Sequence, residues 1–322
     1  MFAPVVLIIF ATILVLLGPA LLLRISWFEH SPRIGIFAWQ VLSISLISTV
    51  LLAGLTLAIP VIPWTTHFAE LIRMCAMAIG KEYSTPGGAV VSTIGAIATL
   101  AIFSRIAYCL ITDFISATRN KREHLQTLAM IATPHHQYQA LVVDHDSAAV
   151  YCLPGRHGQV VLTTGALAAL NENQLTAVLA HEQAHLHGRH HLIIATAGAM
   201  QHAFPKIPAF REIHRALAQL VEMLADDNAA RHSNGLTVAT ALVRLAEYGN
   251  IPLVALGAGG ESTAVRIRRL ASPIPPLGAG KTALSVLAFG SLLIMPVLFA
   301  MAPASAMAHM SPCPLGSTHM TR

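Results

Sequence analysis

Four long runs of the chain are almost free of polar side chains: residues 2–23, 36–59, 88–110 and 282–301. Crossing a hydrocarbon core takes roughly 20 helical residues, so each run is long enough to form a membrane-spanning helix. Between the third and fourth runs the pattern changes to a mixture of polar and apolar positions, extending over residues 113–272. A segment of that size can bury a core of its own. The pattern therefore predicts three spans within 1–112, a folded domain over 113–272, a fourth span within 273–303 and a short external tail over 304–322.

Inside the domain, residues 139–143 and 148–153 read as short strands joined by a turn at 144–147, and 159–163 reads as a third strand after a Gly-containing loop. A small antiparallel sheet ahead of helices predicts an α+β layer arrangement. Asn171 stands as an N-cap, with Gln174 three residues on as its capping-box partner and Glu172 in the positive first turn. Leu175, Val178, Leu179 and Ala180 give this helix an apolar face, and Gly188 is expected to end or bend it. A loop at 204–209 contains two prolines. The helix predicted over 210–232 buries Ile213, Leu217, Leu220, Val221 and Leu224, and Asn234-Gly235 closes it. Helices at 236–249 and 262–271 follow, with the Gly-rich stretch 257–260 between them read as a loop. The fold class expected is a multi-pass α-helical membrane protein with an α+β domain inserted between spans three and four.

Composition strengthens the membrane reading, because 55% of residues are hydrophobic and 11% charged, against about 25% charged in an ordinary soluble domain. The first run has no basic segment ahead of it and no small-residue cleavage site before Arg24, so it reads as a span rather than a cleaved secretory signal. Lys and Arg are retained on the cytoplasmic side of short loops. Arg24 and Arg33 follow the first run, Arg119, Lys121 and Arg122 follow the third, and Arg266, Arg268, Arg269 and Lys281 precede the fourth. Between runs two and three, Arg73 and Lys81 are offset by Glu70 and Glu82, and the tail carries Arg322. This places the domain in the cytoplasm and both termini outside the cell (plasma) membrane. Arg105, near the end of the third run, can snorkel to the headgroups. The net charge of +5 is spread over juxtamembrane positions, which fits a lipid bilayer as partner, and no direct nucleic-acid binding is expected. Four cysteines are too few for a disulfide scaffold. On this topology Cys75 and Cys313 both face outward and are free to pair.

The run His181-Glu182-Gln183-Ala184-His185 carries the candidate chemistry. Two histidines four apart project from one helical face and can bind a single Zn²⁺. Glu182 adjoins the first of them, where a carboxylate can act as general base on the attacking water. A third protein ligand is needed. One candidate is His191, because Gly188 and His191 complete the longer HExxHxxGxxH pattern. The other is Glu222: with Asp226 it shares a helical face, so that one acid can bind zinc while the other holds a ligand histidine by its free ring nitrogen. The long pattern requires a helix break at the glycine and a Met-containing turn beneath the metal. Apolar, proline-free sequence resumes after His191, and Met200 and Met223 fall in predicted helices, so Glu222 is favoured over His191. His187, His190, His191, His202, His214 and His232 read as exposed or capping residues more readily than as ligands, with one of them available as an oxyanion donor.

The stretches TTGALAAL, NENQLTAVLAHEQAHLHGRHH and EMLADDNAA resemble the BlaR/MecR-type membrane zinc metallopeptidases and, more distantly, the HtpX and CAAX-prenyl-protease group. With three spans before the domain and one after it, the resemblance extends over nearly the whole chain. It implies a cytoplasmic zincin-like domain with Zn²⁺ held by His181, His185 and Glu222, general-base work by Glu182 and a supporting role for Asp226. In the best-known members the peptidase answers an external β-lactam sensor and inactivates a DNA-bound repressor of resistance genes. This chain departs from that plan. Residues 302–322 are too few for a penicillin-binding domain, and no Ser-x-x-Lys run is present to supply its acylated nucleophile. The trigger is then expected in a separate sensor protein, or in the 59–87 loop and the tail.

The expected function is zinc-dependent endoproteolysis of a cytoplasmic protein, such as a DNA-binding transcriptional repressor. The alternatives are a membrane quality-control protease of the HtpX kind and a non-catalytic membrane signalling protein that keeps the zinc fold for shape. Glu182 argues against the last, since a structural site has no use for a general base. In the tail, His309, Met310, Cys313, His319 and Met320 are soft ligands that suit copper, although a disordered tail is the commoner outcome for such a segment.

Overall fold

The computed structural model describes residues 2–59, 87–155, 158–249, 256–272 and 277–308. Among the described residues, four helices are long and apolar enough to cross a membrane: α1 (Phe2–Leu23), α2 (Pro32–Ala58), α3 (Gly88–Ile131) and α10 (Ala279–Ala308). They coincide with the four apolar runs. The third helix does not stop at residue 110, however, but continues to Ile131 for a total of 44 residues. Between Gly95 and Pro134 the sequence has neither Gly nor Pro, so nothing in the polar stretch breaks the hydrogen-bond ladder. The loop at 60–86 with Cys75, and the tail with His309, Met310, Cys313, His319 and Met320, lie outside the described residues.

The chain divides into two compact units. The first comprises Met1–Leu17, Val41–Ser104 and Ala288–Arg322. In it, Leu7, Ala53 and Ala300 form a small buried cluster, and Ser45 donates from Oγ to the Leu292 carbonyl at 2.9 Å. Gly54 and Gly95 let α2 and α3 approach closely. A Cβ on Gly95 would lie 2.9 Å from the Gly54 carbonyl oxygen and 2.6 Å from Leu57 Cβ. Small residues at a crossing are the usual means of bringing membrane helices into contact. Large side chains such as Leu16 and Leu100 face outward, as expected for surfaces that meet lipid tails.

The second unit comprises Gly18–Gln40 and Arg105–Leu287. Its sheet contains β1 (Ala132–His135), β2 (Ala140–Val143), β3 (Val150–Leu153) and β4 (Gln159–Thr163), in the order β1-β2-β4-β3. The expected direct pairing of 139–143 with 148–153 in an all-antiparallel sheet is not what forms. Instead β4 enters between them, parallel to β2 with Leu141 opposite Val161, and antiparallel to β3. Val160, Val161 and Leu162 are all buried, the continuous apolar pattern of a strand covered on both faces. Thr163 and Thr164 also draw the 144–149 segment to the end of β4. Thr163 Oγ1 donates to the Ser147 carbonyl and accepts from the Ala149 and Ala166 amides, while Thr164 Oγ1 accepts from the His145 amide. The first strand, with its Pro134 and half-exposed pattern, has no sequence signature comparable to the other three.

After the short helix α4 (Thr164–Ala169) comes α5 (Glu172–His187), and its predicted capping box is present. The Asn171 side chain accepts from the Gln174 amide at 2.9 Å, and Gln174 Oε1 accepts from the Asn171 amide at 3.1 Å. Leu175, Val178 and Leu179 pack against Val142, Val160 and Leu162 of the sheet. Gly188 ends the helix, as anticipated. Its φ of −73° is ordinary, and the left-handed turn falls on Arg189 at φ 48°. Glycine is required at 188 for space, because a Cβ there would run into the His190 ring.

The remaining helices are α6 (His190–Ala203), α7 (Pro208–His232), α8 (Gly235–Tyr248) and α9 (Leu256–Ala271). Proline at the first position of α7 suits a helix start, and the Asn234 side chain caps α8 by accepting from the Thr237 amide at 2.7 Å. Residues 257–260 belong to α9 and are not the expected loop. Each glycine weakens a helix by roughly 1 kcal/mol, but α9 is anchored downstream, where Ile267 and Leu270 pack against Val238 and Ala239. Arg105 also has a structural role: its Nε donates at 2.5 Å to the carbonyl of Ala203, the last residue of α6.

Candidate metal centre

Helix α5 presents His181 and His185 one turn apart, and α7 presents Glu222 and Asp226 with the same spacing. The two helices pack so that the imidazoles face the carboxylates. His181 Nε2 lies 3.1 Å from His185 Nε2 and 3.6 Å from Glu222 Oε2, and His185 Nε2 lies 3.4 Å from Glu222 Oε1. One donor atom from each of these three residues can be chosen within 4.8 Å of the others. Zinc–ligand bonds of about 2.1 Å in a tetrahedral arrangement set donors roughly 3.4 Å apart. The observed separations and the His₂Glu donor set fit that ion. Exposed His191 on α6 is not among the three.

Around the three donors lies a further layer of polar side chains. Asp226 is fully buried, with Oδ1 3.1 Å from His181 Nδ1. That approach is oblique, so the buried ring nitrogen makes a charge contact rather than a straight hydrogen bond. Arg266 of α9 grips Asp226 with both arms of its guanidinium, at 2.7 and 2.8 Å, and reaches Glu222 Oε2 with Nη1 at 2.9 Å. On the other side, His190 Nδ1 stands 3.2 Å from His185 Nδ1. His190 is buried, contrary to its reading as an exposed or capping residue, because the turn at Gly188-Arg189 folds α6 back on α5.

Neither Arg266 nor His190 emerges from motif reasoning. Arg266 sits in a basic cluster that reads as juxtamembrane, and His190 follows a helix break that destroys periodicity. A signal did exist: two carboxylates predicted on one partly apolar helical face need a counter-cation once buried.

In the metal-free protein these contacts set the protonation states. Burial opposes charge on His181, but Asp226 and Glu222 outweigh it and raise its pKa to about 9. Burial lowers His185 to about 4, with Glu222 only partly offsetting it. For Asp226 burial also opposes charge, yet Arg266 and His181 hold the carboxyl down at about 2. Glu222 is likewise kept below its ordinary value by His181 and Arg266, against the effect of burial. Glu182 shifts the other way, raised by burial despite the nearby charge of His181. It lies beside Cys152 of β3, whose thiol is pushed up to about 12 by burial and by Glu182 itself.

An edge strand, a helix bearing two histidines and an acid, and a second helix supplying carboxylates together define the class of a metallopeptidase. Residues 116–248 match the sequence profile of Peptidase family M48, a stretch that begins within α3 and ends with α8. The match indicates a metallopeptidase and supports the M48 family. It singles out neither the BlaR/MecR type nor the HtpX type. No curated protein and no solved structure matches the chain.

Proposed function

We propose that this chain is a membrane-bound zinc endopeptidase, with His181, His185 and Glu222 as metal ligands and Glu182 as general base, that cleaves a cytoplasmic or membrane-near protein in a regulatory step. The observation that carries the reading is the convergence of three donor atoms from two helices at zinc-compatible distances. When bound there, zinc polarises the scissile carbonyl and lowers the pKa of water.

The chain's own residues supply the remaining steps. Glu182 accepts a proton from the attacking water as the new C–O bond forms, and delivers it to the departing amine nitrogen as the C–N bond breaks. Its burial raises the carboxyl pKa, which makes it a stronger base for the first transfer. Asp226 orients His181 through Nδ1, so that Nε2 is the nitrogen directed at the metal position. Arg266 compensates the charge of both carboxylates. Beside Glu182, β3 is an edge strand of the sheet, and among the described residues no further strand pairs with it. Its free backbone groups can pair with an extended peptide.

Membership of Gly18–Gln40 in the same compact unit as the site supports a shared compartment for the loop after span one and the peptidase domain. The basic residues there and near spans three and four favour the cytoplasm. A DNA-binding repressor as substrate follows from the BlaR/MecR-type resemblance.

The test is metal analysis and peptide cleavage by the purified full-length protein. Glu222→Ala is expected to lose zinc while His191→Ala keeps it. Glu182→Ala should retain zinc and lose cleavage by at least about a hundredfold, the scale of a missing general base. Cleavage undiminished in Glu182→Ala would remove the peptidase reading. In cells, loss of one cytoplasmic regulator on activation supports the regulatory role, whereas broad turnover of misfolded membrane proteins points to HtpX-like quality control.

A further inference from the structure

Along α5 and α7 lies a cavity of about 610 Å³, bordered by the first turn of α2 and the start of α6, with His190 of the candidate metal centre's surroundings in its wall. None of His181, Glu182, His185, Glu222 and Asp226 lines it. Its polar lining is one-sided. Arg33, Arg231, His187, His190 and His232 contribute to the wall beside the neutral Gln183 and Asn228, and among the described residues no Asp or Glu does. Neither Arg33 nor Arg231 has a carboxylate partner among the described residues, in contrast to Arg215, Arg266 and Arg269, which all pair with acids.

The two exposed histidines are already oriented. His187 Nδ1 is bonded to the Gln183 carbonyl at 2.8 Å and His232 Nδ1 to the Asn228 carbonyl at 2.9 Å. Each ring therefore commits one nitrogen to the backbone and leaves Nε2 for a ligand. Two unpaired guanidiniums beside two anchored imidazoles, with no competing acid, form a receptor for a phosphate group.

The surroundings indicate where that phosphate comes from. Arg33 is the second residue of α2, a candidate membrane span, and Ile36, one turn further along the same helix, lines the cavity with Leu224. A cationic rim against an apolar wall at the start of a span suits a ligand that is charged at one end and greasy at the other. Basic pockets at the cytoplasmic ends of spans hold anionic headgroups for this reason. We propose that this cavity binds a phosphate group, with the headgroup of an anionic phospholipid as the source its position favours.

Native mass spectrometry of the full-length protein in detergent, with phosphatidylglycerol or phosphatidylcholine added, tests the proposal. Thermal stabilisation by inorganic phosphate runs as a parallel arm. Wild type is expected to retain phosphatidylglycerol over phosphatidylcholine, and the double variant Arg33→Gln/Arg231→Gln should lose that preference by on the order of tenfold or more. Arg211→Gln, an exposed arginine outside the cavity, should keep it, and unchanged zinc content in the double variant checks that the fold is intact. Stabilisation by inorganic phosphate without lipid retention would assign the site to a soluble phosphate. Equal binding of the two lipids with no phosphate effect, or a double variant that behaves like Arg211→Gln, would overturn the proposal.

Discussion

At the residue scale, the proposed metal centre is expected to couple protons to metal. His181 is protonated up to about pH 9 in the metal-free protein and must lose that proton to bind an ion. Apparent zinc affinity is therefore expected to rise between neutral pH and about 9, approaching tenfold per pH unit, when titrated against a chelator of known pH dependence. Stability of the metal-free protein runs the opposite way. A raised folded-state pKa stabilises fully below the unfolded value of 6.5, and that contribution disappears as pH climbs through about 9. Melting scans across this window should show the metal-free protein losing stability that the zinc-loaded protein retains. Arg266 gives a second prediction. Arg266→Met leaves Asp226 buried without its counter-ion, which should cost about 3–5 kcal/mol in a denaturant unfolding series, whereas Arg268→Met, at an exposed position, should change little.

At the scale of elements, what the sequence reveals depends on how local the determinant is. The HEQAH pair, the Asn171 capping box and the Glu222/Asp226 pair are each settled within a turn or two of one helix, and each is found where spacing predicts it. The sheet is different. Whether 139–143 pairs with 148–153 or admits 159–163 between them depends on burial on both faces and on two threonine side chains, neither visible as periodicity. Helical sequence through Gly257–Gly260 is a similar case, with packing further along α9 overriding local propensity. The threonine argument can be checked directly. Thr163→Val keeps the shape and removes the hydroxyl that serves Ser147, Ala149 and Ala166, so it should lower stability by about 1–3 kcal/mol in a reversible unfolding assay. Thr176→Val, on the exposed side of α5, is the control.

For the molecule as a whole, four apolar helices imply that an alkaline carbonate wash should leave the protein in the membrane pellet and that detergent should release it. The composition makes this legible from the start, while the partners of individual charged residues emerge only in three dimensions. Arg266 also has a consequence for the order of assembly. It follows both histidines and both acids of the centre in the chain, 40 residues beyond the aspartate it clasps. A nascent chain that has left the ribosome only as far as α8 holds every proposed ligand but leaves that aspartate without its cation. The proposed centre is therefore complete only once α9 has been synthesised, so any cutting by it waits on a helix that supplies no ligand.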